Sequence, residues 1–208
     1  MDLLLEMAEN LEAGNAAELY ELVEQGLENG LSAEKILNEG LIRGMNVVGR
    51  KFKEGEIFIP EVLIAARAMT RCIGRLEPLL VQSGVRSKGK LLIGTVKDDL
   101  HDIGKNLVAI MFKGAGFEVI DLGVNISAEK FAEEAQKHQP DVIGLSALLT
   151  TTMVNMDGIV KQLRSGGCKA VIMIGGAPVS EEYARSIQAD LYARNAVEGV
   201  EKALQALQ

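Results

Sequence analysis

The sequence predicts an α/β protein in two parts, an N-terminal four-helix bundle followed by a doubly wound, five-stranded parallel sheet. Three observations carry this. Up to about residue 82 the apolar residues recur at three- and four-residue spacing, and beyond it short apolar runs alternate with helical stretches. Those runs are apolar throughout, as expected of parallel strands buried on both faces under crossover helices. Between the two regimes lies SGVRSKGK, residues 83–90, a polar, glycine-containing break. The predicted division is residues 1–86 and 87–208.

The helical part reads as LLLEMAENLEAG, AAELYELVEQGLENG, SAEKILNEGLIRGMNVVGRKFKEG and PEVLIAARAMTRCIGRLEPLLVQSG. Leu19, Leu22, Val23 and Leu27 illustrate the spacing. Asn29-Gly30 closes the second helix, Ser32 caps the third with Glu34 and Lys35 in its first turn, and Pro60 opens the fourth, where proline is tolerated. Short connections imply antiparallel neighbours.

In the second part the strands are LLIGTV, FEVIDLG, DVIGLSAL, AVIMIGG and the weaker ADLYA. Helices are expected near 104–115, 127–138, 153–165, 180–187 and 196–207. Right-handed crossovers then give a flavodoxin-like (Rossmann-like) sheet, whose ligands bind outside the carboxyl ends of the strands. Residues 97–106, 146–152 and 175–178 fall at that edge.

Composition narrows the function classes. The 208 residues are 48% hydrophobic and 25% charged, an ordinary globular balance. Aromatics are 4% with no Trp, which disfavours a base-stacking surface, and the net charge of −7 repels a phosphate backbone. Residues 1–40 hold ten acids and a single base, Lys35, and residues 1–86 hold fourteen acids and nine bases, so most of the acidity lies on the helical part. No run approaches a membrane span and MDLLLEMAE has acids where a signal peptide has bases, so a soluble, cytoplasmic protein is expected. Cys72 and Cys168, far apart and without a CxxC, are expected to be buried and unpaired.

The chemistry concentrates after the first strand, in Lys97, Asp98, Asp99, Leu100, His101, Asp102, Ile103, Gly104, Lys105 and Asn106. A lone loop histidine is usually a polar surface residue, and His138, at a helix end, fits that description. His101 differs because Asp99, two residues back, can accept from one ring nitrogen and leave the other free for a metal. Gly104 lets a bulky ligand pass close to the backbone. After the third strand Ser146, Thr150, Thr151 and Thr152 supply hydroxyls beside the apolar Leu148, and Gly175-Gly176 removes side chains after the fourth. Singly these are caps and turns, but jointly they describe a slot beside a coordinating histidine.

Two rivals share the fold. A phosphoacceptor receiver would need Asp where Ser146 ends the third strand, and a dinucleotide site would need a Gly-rich loop where KDDLHDIG stands.

Asp99-x-His101-x-x-Gly104, followed by Ser146-x-Leu148 and Gly175-Gly176, resembles the three-part signature of cobalamin-binding domains. MNVVGRKFKEGEIFIPEVLIAA is similar to the helical cap of methyl-transferring cobalamin proteins, so the resemblance spans nearly the whole chain. It points to the corrinoid proteins of methanol-, methylamine- and methoxyarene-type methyltransferase systems and to the cobalamin-binding segment of methionine synthase. The resemblance implies a cobalamin or related corrinoid, in methylcobalamin and Co(I) forms, bound base-off and His-on. His101 is then the lower axial ligand of cobalt, and Asp99 and Thr152 form the relay behind it. Asp102, Ile103, Gly104, Ser146, Leu148, Thr150, Gly175 and Gly176 line the path of the cofactor and its nucleotide tail. Tyr192, Ala193, Asn195 and Ala196 lie near the tail's base, and Phe52 and Ile59 cap the methyl side. The family usually has Gly where Asp98 stands.

No acid/base pair, zinc ligand set or nucleophile signature accompanies this motif. The expected role is a methyl carrier, not an enzyme on its own. Its implied partners are a substrate:corrinoid methyltransferase, a corrinoid:tetrahydrofolate or thiol methyltransferase and a reductive activase, with no nucleic acid and no membrane. A cap that must swing aside for them makes the 83–90 linker the expected hinge. The alternative is a cobalamin-dependent sensor, which usually has a DNA-binding or signalling domain and a Trp. A third reading, an adenosylcobalamin mutase subunit, would lack this cap.

Overall fold

The computed structural model describes residues 2–83 and 87–208. The chain divides into two compact units, residues 1–87 with 114–116, and residues 88–113 with 117–208. Residues 84–86, within the expected hinge, lie outside the described residues.

The first unit is helical. Helix α1 (Leu3–Glu12) starts where the Asp2 carboxylate accepts from the Leu4 N–H at 3.1 Å, and α2 (Ala16–Glu28) ends at Asn29, with Gly30 left-handed behind it. The third predicted helix begins as expected: Ser32 Oγ accepts from the Lys35 N–H at 3.2 Å and α3 (Ala33–Lys35) follows. It is not α-helical throughout. Residues Ile36–Ile42 form π turns before α4 (Arg43–Glu54) resumes the α geometry.

Helix α1 packs closely against the π turns and the start of α4. A Cβ on Gly40 would sit 3.2 Å from the Met7 sulfur, and one on Gly44 would sit 2.8 Å from the Ala8 carbonyl oxygen. Gly55, at φ 76°, ends α4, and α5 (Ile59–Gln82) completes the unit. Met7, Leu11, Leu19, Val23, Ile36 and Leu41 are fully buried, so the helical spacing seen in sequence is the core stripe.

In the second unit the strands are β1 (Lys90–Thr95), β2 (Glu118–Asp121), β3 (Val142–Ser146), β4 (Val171–Gly175) and β5 (Leu191–Ala193). They are all parallel in the order β2-β1-β3-β4-β5, the predicted flavodoxin-like arrangement. The intervening helices are α6 (Ile103–Gly114), α7 (Ala128–His138), α8 (Thr150–Met153), α9 (Asn155–Ser165), α10 (Glu181–Ser186) and α11 (Ala196–Ala206). Ser127, Ser180 and Asn195 cap α7, α10 and α11 through their side-chain oxygens.

Leu92, Ile143, Ile172 and Ile174 of the sheet pack with Phe131 of α7 and Met156, Ile159 and Leu163 of α9. The register places Thr95, Ser146, Gly175 and Ala193 in one row across β1, β3, β4 and β5, which fixes the carboxyl edge.

Both cysteines are free, but only Cys72 is fully buried, and burial pushes its thiol up to about 11. Cys168 is partly exposed. No helix among the described residues is long and apolar enough to cross a membrane.

Two glycines of the helical unit should respond to alanine with opposite sign. Gly74, exposed on α5 with nothing within 4 Å of an added Cβ, should gain about 0.5–1 kcal/mol of stability as Gly74→Ala. Gly44→Ala should lose stability despite the same gain in helix propensity, because its Cβ meets α1 backbone. Urea denaturation of the two variants beside the parent checks both signs.

Candidate functional site

The site is assembled by the segment between β1 and α6 and the segment after β3. Asp99 is completely buried, and its carboxylate is surrounded by donors. Oδ1 accepts from the His101 backbone N–H at 3.0 Å and faces His101 Nδ1 at 2.7 Å. Oδ2 accepts from the Leu148 N–H at 2.8 Å and from the Thr152 hydroxyl at 2.6 Å. Burial pushes the Asp99 carboxyl up, but the bonds from Thr152, the Leu148 N–H and His101 outweigh it and hold the group well below the usual carboxylate range.

An ionised carboxylate only accepts, so the proton between the two residues sits on Nδ1. In a neutral imidazole the lone pair is then on Nε2. Nε2 has no partner among the described residues, and the His101 side chain is half exposed. The backbone of His101 is held as well, since its carbonyl accepts from the hydroxyl of the buried Thr95 at 2.9 Å. A single imidazole is thus oriented from below, with its free nitrogen available as a metal donor.

The loop conformation explains the preference at position 98. Asp98 is in the left-handed region at φ 65°, where glycine carries no penalty and Asp is tolerated. Its N–H donates to Asn125 Oδ1 at 2.8 Å, and the Asn125 N–H donates to the Asp99 carbonyl at 3.0 Å. Asn125 is itself left-handed at φ 57°.

Exposed apolar side chains cluster in sequence on the two segments that build the site. Of the ten exposed large hydrophobic residues among the described residues, five belong to these two segments: Leu100, Ile103, Leu148, Leu149 and Val154. Leu100 and Ile103 are 72% and 73% exposed, which marks a contact surface. Gly104, in the first turn of α6, has nothing within 4 Å of an added Cβ.

Asp99 therefore touches His101, as the spacing predicted, and Thr152, as the resemblance implied, while its bond from the Leu148 N–H was not foreseen. Ser146, Gly175 and Ala193 share the row at the carboxyl edge, while Thr150 opens α8 and is exposed. Asp102 accepts from the Asn106 side chain at 3.1 Å. Asn195 caps α11, Ala196 starts that helix, and the Tyr192 carbonyl accepts from Lys202 at 2.7 Å. Phe52, half-buried in α4, and Ile59, exposed at the start of α5, lie in the helical unit, beside the more exposed Phe58. His138 pairs with Glu134 at 3.0 Å on α7.

The glycine pair also has a reason within the backbone itself. A Cβ on Gly176 would lie 1.8 Å from the Ala147 carbonyl oxygen, and one on Gly175 would lie 3.0 Å from that of Ala193. Close backbone packing requires glycine at 176 and makes any side chain at 175 tight. Sequence reasoning missed Thr95 and Asn125, and it passed over Leu100, Leu149 and Val154, whose apolar character in loops was the available signal.

A helical unit followed by a flavodoxin-like sheet that presents one carboxylate-held imidazole on segments with exposed apolar side chains defines a cofactor-binding protein of the B12-binding class. Residues 89–204 match the B12 binding domain family, and residues 3–77 match a second family of the same description. A corrinoid protein of Desulfitobacterium hafniense (strain Y51) is 39% identical over 98% of this chain and 96% of its own. The dimethylamine corrinoid protein of Methanosarcina barkeri is 39% identical over 99% and 98%. Among solved structures, a chain of the methanol:cobalamin methyltransferase complex MtaBC from Methanosarcina barkeri superposes with a TM-score of 0.90 at 28% identity, covering 99% of this chain and 80% of that one. The chain belongs to the corrinoid proteins with B12 binding domains.

Asp99→Asn keeps the shape but must place an NH2 group against donors. Stability at pH 7 should fall by about 2–3 kcal/mol. Because the folded carboxyl is depressed, its contribution is fully present above the ordinary Asp range and is lost as the pH falls through the folded value. Urea denaturation from pH 7 downward should show the gap between parent and variant narrowing only in strong acid.

Proposed function

We propose that this chain is a methyl-carrying corrinoid protein, not an enzyme on its own. It accepts a methyl group from a substrate-specific methyltransferase and hands it to a second one acting on tetrahydrofolate or a thiol, with a reductive activase as auxiliary partner. The observation that carries this reading is the end-to-end match of the chain to a dimethylamine corrinoid protein, 99% of this chain against 98% of that one.

The residues present fit a corrinoid. One imidazole with a free nitrogen, five exposed apolar side chains on its two flanking segments and an open Gly104 suit a flat macrocycle that brings its own equatorial ligands. When bound, the corrinoid supplies a cobalt centre that carries the methyl group.

His101 Nε2 would hold the cobalt in place of the cofactor's own base. Asp99 keeps the proton on Nδ1, so Nε2 is the one ring position free either to ligate or, once released, to take a proton. Thr152 and the Leu148 N–H keep Asp99 ionised through that change. Gly104, Ser146, Gly175, Gly176 and the Tyr192–Ala196 segment accommodate the nucleotide tail. Phe52 and Ile59 of residues 1–86 form the cap that excludes water, and residues 87–208 form the cofactor domain. The protein works in the cytoplasm.

Two experiments test the reading. With hydroxocobalamin, the parent chain should give a His-on spectrum, and His101→Ala should give a base-off spectrum with binding weakened about tenfold or more. An unchanged spectrum removes His101 as the ligand. Isotope-labelled methyl from a methylamine, methanol or methoxyarene donor should reach the protein-bound corrinoid only when the matching methyltransferase is present. Failure with every such pair would sink the carrier role.

A further inference from the structure

Lys105 is the one buried basic residue among the described residues, with a side chain 2% exposed. Its position is costly on two counts. Burial removes an ammonium group from water, and the first turn of α6 places it at the end of the helix that favours negative charge.

Two acceptors offset this. Nζ donates to Asp121 Oδ2 at the end of β2, 2.5 Å away, and to Asn106 Oδ1 at 2.7 Å. Both connections continue. Asp121 Oδ1 accepts from the Gly123 N–H at 2.8 Å, and the Gly123 carbonyl accepts from the Thr95 N–H at 3.0 Å. The Thr95 hydroxyl in turn holds the His101 carbonyl at 2.9 Å. On the other side, Asn106 Nδ2 donates to Asp102 Oδ2 at 3.1 Å, and the Asn106 N–H donates to the Asp102 carbonyl at 2.7 Å. Bonds from one ion pair therefore reach His101 itself through Thr95 and its neighbour Asp102 through Asn106. None of them involves the Asp99–Thr152 contact.

We infer that the Lys105–Asp121 pair is a positioning device for His101, clamping the start of α6 to the end of β2 so that the segment 101–106 keeps its shape before any cofactor arrives. Asp99 orients the imidazole ring, and Lys105 holds the main chain that carries it. This inference rests on the reading of His101 as the ligand that faces the corrinoid.

The test uses the full chain with Lys105→Met, which matches the length without the charge, and Asp121→Asn, at a position whose side chain is 37% exposed. In the cofactor-free Lys105→Met variant, amide hydrogen exchange of residues 101–106 should rise at least tenfold, while core amides of β1 and β3 stay at parent rates. Hydroxocobalamin should bind about 10–100-fold more weakly, and at saturation part of it should show the base-off spectrum. Asp121→Asn should move both readouts in the same direction, and the double variant should be no worse than Lys105→Met alone.

Parent exchange rates in 101–106 with a fully His-on spectrum in a folded variant would overturn the inference. So would a uniform rise in exchange with the bound spectrum unchanged, which is what a merely structural lysine predicts. Should Lys105→Met not fold, Asp121→Asn decides by the same readouts. If the parent itself shows no His101 ligation, the functional reading fails, and exchange in the cofactor-free chain still decides whether the pair holds the loop.

Discussion

The buried Asp99 carboxylate accepts hydrogen bonds from two chain segments at once, and the geometry of the sheet's carboxyl edge follows from it. A charge without water needs donors on both oxygens, and here His101 satisfies one oxygen while Leu148 and Thr152 satisfy the other. The segment after β1 and the segment after β3 are thus fixed relative to each other by one group. The same bonds choose the histidine tautomer. Folding and, on the proposed reading, metal binding therefore make the same demand on Asp99, and a change that weakens either weakens both.

Much of this was legible in the sequence, for identifiable reasons. Parallel strands buried on both faces leave uninterrupted apolar runs, so LLIGTV, DVIGLSAL and AVIMIGG announced β1, β3 and β4 and placed the site at their ends. Asp99 and His101 were found because a histidine offered as a metal ligand needs an acceptor behind it, and Thr152 came from the resemblance to cobalamin-binding domains. What escaped depends on neighbours distant in sequence. Asp121 lies sixteen positions from Lys105, and nothing local pairs them. The π turns at Ile36–Ile42 keep an apolar spacing indistinguishable from an α-helix, and only the approach of α1 to Gly40 and Gly44 accompanies them.

The glycines show how a correct motif can rest on an incomplete reason. Gly176, at φ 135° and against the Ala147 carbonyl, answers a demand of the backbone between β3 and β4. Gly104 is the opposite case, with open space where its side chain would be. Two positions of one signature thus report different things, the first the closeness of neighbouring chain segments and the second access from outside. Asp98 belongs with the first kind, because its left-handed backbone accounts for the family's glycine without any ligand.

The lone imidazole has a consequence for selectivity among metals. No group of three or more His, Cys, Asp or Glu side chains able to hold an ion occurs among the described residues. A site of denticity one cannot compete for free zinc or copper, whose protein sites gather three or four donors. On the proposed reading, discrimination is therefore delegated to the macrocycle. On that same reading the protein recognises a metal that arrives already enclosed in a ring, and it does so by contributing too few ligands to retain any other.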